Sequence, residues 1–159
     1  DFTSNIDSTY DVYCFKFYNI HPATNNVKFQ FNLTTDGTNF NVTKTSTYFA
    51  AYHSEADDEG LSYSTGSDLA QSTSDQPIAE DVGSDNDQAP SGSLFLYNPS
   101  STTFVKHYSA VMSNSQQTDY SQNIFVSGYG NTTSAITGVR FKFASGNIDA
   151  GTIKMYGVV

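Results

Sequence analysis

The sequence predicts an all-β domain, an antiparallel β-sandwich of jelly-roll-like topology with about eight or nine strands. Three observations carry that expectation. Aromatic residues reach 14%, all of them Phe or Tyr, while charged residues are also held to 14%. Ser, Thr, Asn, Asp and Gly fill much of the remainder, a mixture that suits strands and tight connections and gives helices few of their preferred residues. Several segments alternate apolar and polar side chains with period two, and no window repeats with helical spacing.

The first such segment is TYDVYCFKFYNI, with Tyr13, Phe15 and Phe17 on one face and Val12, Cys14 and Lys16 on the other. Pro22 and two asparagines in HPATNN supply a turn. VKFQFNL follows with the cleanest alternation in the chain, Val27, Phe29, Phe31 and Leu33 opposing Lys28, Gln30 and Asn32. Asp36-Gly37 in TTDGTNF is a hairpin signal, so this strand is expected to turn back onto STYFAAYHS. Residues 55–92 then change character. They are acidic and rich in Ser, Gly and Asp, with only Leu61, Tyr63, Leu69, Ile78 and Val82 to anchor them. Such a segment buries too little apolar surface to form a unit of its own. It reads as a surface excursion with one or two brief strands inside a single domain spanning 1–159.

Apolar character returns at SLFLYNPSSTTFVKHYSAVMS, where Asn98-Pro99-Ser100-Ser101 separates two strands. The second of these alternates loosely enough to be apolar on both faces. NSQQTDYSQ reads as a polar loop and NIFVSGYG as a short strand. The closing pair places Val139, Phe141 and Phe143, then Ile153 and Met155, in an inward row. The last strand is expected inside a sheet or beside the first strand, so that removing Thr152–Val159 unfolds the domain. A closed barrel is the alternative architecture. The absence of a constant internal period counts against a propeller or β-helix.

The formal charge of −9 disfavours nucleic acid and anionic membranes, both of which select Lys and Arg. Between Ser54 and Pro90 there are ten acidic residues and no basic one. Cys14 is the sole cysteine, so no internal disulfide forms, and its place in an apolar strand marks it as a buried thiol. No stretch reaches the roughly eighteen apolar residues of a membrane helix. The chain opens on Asp1, which is expected of a processed N-terminus or of the C-terminal part of a longer chain.

Catalytic chemistry has little to build on. His21, His53 and His107 fall on three separate elements, without a second histidine or cysteine at metal-ligand spacing. There is no nucleophile elbow and no phosphate-cradling loop. Asp57, Asp58 and Glu59 would serve glycoside chemistry only if folding set two of them across a cleft. No catalytic or cofactor-binding residue is therefore assigned. EADDEG (55–60) and SDNDQ (84–88) offer the oxygen ligands that calcium prefers, but neither fits the EF-hand pattern and acidic loops are usually just solvated, so metal binding is left open. Asn32, Asn41 and Asn131 begin glycosylation sequons, as expected by chance in a chain rich in Asn and Thr.

IDSTYDVYCFKFYNIHPATNNVKFQF with DGTNF, then GSLFLYNPSSTTFVKHYSAVM, then ITGVRFKFASGNIDAGTIKMYGVV, together resemble the β-sandwich virion structural proteins of tailed, especially marine, bacteriophages. The likeness touches most of the chain outside the acidic excursion. It departs at TTDGTNFNV, where Thr38 and Phe40 stand in place of a second glycine and a tryptophan. The resemblance implies a non-enzymatic component of the virion, a capsid decoration or cement protein or a tail-associated protein. Its implied partners are capsid or tail proteins and copies of itself. It supplies no catalytic residues. The competing expectation is a carbohydrate-binding module recognising host surface glycans, with Tyr63, Tyr97, Tyr120 and Tyr129 as candidate sugar platforms. A tail depolymerase is a further option, disfavoured by the lack of clustered carboxylates on a long scaffold.

Overall fold

A computed structural model describes residues 1–159. The chain forms ten strands and no helix: β1 (Val12–Pro22), β2 (Val27–Thr34), β3 (Lys44–Ser54), β4 (Glu59–Tyr63), β5 (Gln76–Val82), β6 (Pro90–Tyr97), β7 (Lys106–Ser115), β8 (Tyr120–Gly130), β9 (Gly138–Phe143) and β10 (Ile148–Val158). They build two antiparallel sheets, one of seven strands in the order β10-β1-β6-β7-β8-β3-β4 and one of three in the order β5-β2-β9. The expected sandwich is present, with a strand or two more than expected and a very unequal division between layers. The acidic excursion contributes β4 to the edge of the large sheet and β5 to the small one, the brief pairing its scattered apolar residues predicted.

Alternation explains which faces meet. Tyr13, Phe15 and Phe17 point inward from β1, Phe29, Phe31 and Leu33 from β2, and Val139, Phe141 and Phe143 from β9, all buried. Phe141 sits at the centre, its ring centroid 5.1 Å from Phe15, 5.0 Å from Phe17, 6.2 Å from Phe29 and 6.4 Å from Phe31. Phe2 closes the cluster from outside the strands, 5.3 Å from Phe15. Tilted, stacked and edge-to-face ring contacts of this kind add to the area these rings remove from water.

Three local expectations need correction. Asp36-Gly37 does not close a hairpin, because β2 belongs to the small sheet and β3 to the large one. Its chemistry is local: the Asp36 carboxylate accepts Thr34 Oγ1 at 2.9 Å and the backbone N–H groups of Thr38 and Asn39 at 2.9 and 2.7 Å, while Gly37 takes φ +76°. Those donors hold the Asp36 carboxyl far below the usual carboxylate range. Such a turn serves a crossover between layers as well as a hairpin. β7 is not apolar on both faces: Lys106, Tyr108, Ala110 and Met112 are buried, while His107 and Val111 face water. The supposed loop NSQQTDYSQ is mostly strand, since β7 and β8 pair to Ser115↔Ser121.

β9 and β10 likewise part company. β9 pairs with β2 in the small sheet, and β10 pairs with β1 from Val12↔Val158 to Tyr18↔Thr152. The final strand does lie beside the first, at an edge rather than inside the sheet, with Ile153 and Met155 half-buried against the core.

Two buried side-chain atoms lack a hydrogen-bond partner, Asn114 Oδ1 and the Tyr48 hydroxyl. Tyr48 is fully buried and its hydroxyl meets no hydrogen-bond partner, so burial pushes its pKa well above that of a free phenol. Replacing Tyr48 by Phe removes an orphaned donor without opening a cavity, and is expected to stabilise the domain by about 1 kcal/mol. A raised urea midpoint with unchanged slope checks this; a lowered midpoint would show that the hydroxyl has a partner.

Candidate functional site

The small sheet covers only one face of the large one, and the opposite face is left open. Register places side chains on that open face in rows. One row runs Tyr63, Phe49, Phe125, Val111 and Ser93 across β4, β3, β8, β7 and β6. The Phe49 and Phe125 rings stack with centroids 5.1 Å apart and planes 11° from parallel. Leu61, beside Tyr63 on β4, is 73% exposed, and Phe49, Tyr63 and Val111 are exposed as well. A two-strand overlap of stacked rings in water is an unusual place for Phe, whose burial is worth about 1.5–3 kcal/mol.

A second row holds Tyr97, His107, Tyr129 and Thr45. The rings of His107 and Tyr129 lie 6.3 Å apart. Ser127 and Thr47 occupy the row between them and the phenylalanines. Together these residues form a shallow groove of about 300 Å³ with a hydroxyl-lined floor. Tyr97, on the same face of β6, shares a 2.9 Å hydrogen bond with Ser109 outside the groove. Of the four tyrosines expected as sugar platforms, Tyr63, Tyr97 and Tyr129 thus share one face. Tyr120 does not. Its phase on β8 is that of buried Gln122 and Ile124, and its hydroxyl donates to Asp58 at 2.9 Å.

The acidic loops gather at one end of the sandwich. A cleft of about 790 Å³ there is lined by Asn19, His53, Asp87, Asn114, Asp119 and Tyr120 among others. His53, Asp57 and Glu59 bring one donor atom each within 4.8 Å of one another, a grouping that sequence spacing alone did not suggest. All three are exposed, with His53 Nε2 3.3 Å from Asp57. Three water-facing donors at the β3–β4 turn make a weak site for a divalent cation.

His21 has the look of a catalytic dyad and lacks its chemistry. Nδ1 lies 2.7 Å from Asp149 Oδ1 and Nε2 lies 3.1 Å from the Asp85 carbonyl. With an acceptor at each ring nitrogen, the imidazole serves best as a double donor, and no lone pair remains for a base. The hydrogen bond that Nδ1–H donates to Asp149 is the main cause of its raised pKa. Because the folded value lies above 6.5, the clamp stabilises most below that pH and its contribution fades as pH rises through the folded value. Wild type is therefore expected to lose melting temperature as pH rises above about 6.5, and His21→Gln to lose less. Equal slopes in the two proteins would show that His21 stays neutral.

The remaining sequence candidates separate. His107 is on the open face, Asn41 and Asn131 are exposed, and Asn32 is buried. Cys14 is buried on β1, and burial raises its thiol pKa. No helix is long and apolar enough to cross a membrane. The chain matches no family model, no curated protein and no solved structure.

Proposed function

We propose that this domain is a non-enzymatic structural protein of a virion, a capsid decoration protein or a tail-associated component, and that it docks through the open face of its seven-stranded sheet. The observation that carries the reading is the row Tyr63, Phe49, Phe125 and Val111 with Leu61 beside it. Contiguous apolar surface of this kind is what a binding partner covers. The resemblance of three long segments to phage virion β-sandwiches supplies the class of partner: capsid or tail proteins and further copies of the chain. The charge of −9 sets nucleic acid and anionic membranes aside as partners.

The experiment is co-sedimentation of the purified protein with particles lacking it. Wild type is expected to pellet with particles, and Phe49→Ser with Leu61→Ser to stay in the supernatant while melting normally. A wild-type protein that neither pellets nor self-associates overturns the reading.

A second reading has its own support. His107 and Tyr129 beside a floor of Ser127 and Thr47 match what a host glycan needs, with rings to stack on sugar faces and hydroxyls to bond their edges. Glycan-array binding lost in Tyr129→Ala would favour it over assembly.

A further inference from the structure

The most unusual chemistry in the molecule lies away from the open face. Lys44, the first residue of β3, is fully buried, and its Nζ donates to Asn32 Oδ1 at 2.5 Å and to the Val42 carbonyl at 2.8 Å. The contact with Asn32 is closer than the usual N–H···O range of about 2.7–3.2 Å. Asn32, on β2, is 1% exposed. Its Nδ2 donates to Asp75 Oδ1 at 2.9 Å and to the Thr73 carbonyl at 3.1 Å, while Oδ1 also accepts the Leu33 N–H at 2.9 Å. Two acceptors on one side and two donors on the other fix which amide atom is which. Asp75 is in turn held by Lys142, 3.4 Å away.

These are the parts of an acyl-transfer site. A buried amine faces the oxygen of a carboxamide, a backbone N–H already bonds that oxygen, and a carboxylate already bonds the nitrogen that would leave. We propose that Lys44 and Asn32 join in an intramolecular isopeptide bond, with Asp75 carrying the proton. Burial brings the Lys44 pKa down to about 8, which keeps free amine present near neutral pH.

Nζ of the neutral amine adds to Asn32 Cγ, forming the new C–N bond as the carbonyl π pair moves onto Oδ1, where the Leu33 N–H receives it. In that tetrahedral state Nζ and Nδ2 share one carbon, so the Asp75 carboxylate reaches both. It takes a proton from Nζ and gives it to Nδ2. The Cγ–Nδ2 bond then breaks with its electron pair, ammonia departs, and the carbonyl re-forms. One amide replaces another, so no oxidant or reductant is required.

The bond would tie β2 of the small sheet to β3 of the large one, across the Asp36-Gly37 crossover. In a chain with one cysteine it would be a covalent link between layers that no disulfide can provide.

Intact mass of the folded, then denatured, full chain is the test. Wild type is expected to be lighter than its sequence by one ammonia, and trypsin is expected not to cut after Lys44. Chymotryptic cleavage at Phe40 should leave the Asn32 and Lys44 fragments joined. The Asp75→Ala protein should keep the mass of its own sequence while remaining folded. A wild-type mass equal to the sequence after prolonged incubation above pH 8 overturns the proposal, as does an ammonia-light chain that trypsin still cuts after Lys44, the signature of succinimide formation. Linkage at an undiminished rate in Asp75→Ala overturns the proton-carrying role.

Discussion

Phe141→Ala is expected to destabilise the domain by about 3–5 kcal/mol, the usual cost of deleting a buried aromatic ring. Phe141 is the ring on which both sheets converge, touching Phe15 and Phe17 of the large sheet and Phe29 and Phe31 of the small one. Its neighbours are themselves rigid rings, which collapse poorly into a void. Against a total stability of about 5–15 kcal/mol, this loss should lower the melting temperature by on the order of 10 °C. Phe125→Ala, on the open face, is the control and should change the midpoint little. Comparable losses in the two variants would mean that the open face is packed and not available for docking.

Removal of Thr152–Val159 is expected to abolish cooperative unfolding. These residues pair with β1 from Val12 to Tyr18, and they carry Ile153 and Met155 against the core. Each such aliphatic side chain contributes about 1.5–3 kcal/mol when fully buried, and these two are half-buried. The ladder to β1 goes with them, leaving a long aromatic strand with an unpaired edge. Differential scanning calorimetry of the truncated chain should show no sharp transition, or aggregation in its place. A truncated protein that melts where the full one does would reduce β10 to an ornament of the edge.

How the chain pairs was harder to see in the sequence than which residues face inward. Phe15, Phe17, Phe29, Phe31 and Leu33 declare their faces by alternation, because period two leaves no other reading. Pairing depends on contacts far away in the chain. Asp36-Gly37 has the composition of a hairpin turn, and the Asp36 carboxylate satisfies the turn's own N–H groups whichever sheet comes next. The clue against a hairpin was on β2 itself, where Asn32 on the polar side is as buried as the phenylalanines opposite.

The open face was partly visible. Tyr63, Tyr97, Tyr120 and Tyr129 were candidate platforms that core or rim packing would equally have claimed, and all but Tyr120 lie on that face. Their company with Phe49, Phe125 and His107 depended on the register of β3, β7 and β8. The buried amine was missed, although the sequence held a signal: Lys44 shares its phase with Tyr48 and Ala50, and Lys106 with Tyr108 and Met112. A lysine in step with a core row is either capped or reactive. Lys106 is capped by the carbonyls of Phe104, Thr132 and Thr133. Lys44 meets one carbonyl, that of Val42, and a side-chain amide.

The position of β1 between β6 and β10 has a consequence during synthesis. The strand bearing Tyr13, Phe15 and Phe17 leaves the ribosome early, yet its nearer partner in the chain pairs Val12 with Tyr97. At about 5–20 residues per second, several seconds pass with those rings unpaired. The meander β6-β7-β8 can close on itself as it emerges, whereas β1 must wait for it. Protease protection of β1 in stalled nascent chains should accordingly arrive in one step, after β6 has emerged. Protection appearing before Pro90 is translated would mean that the first strands find a different temporary home.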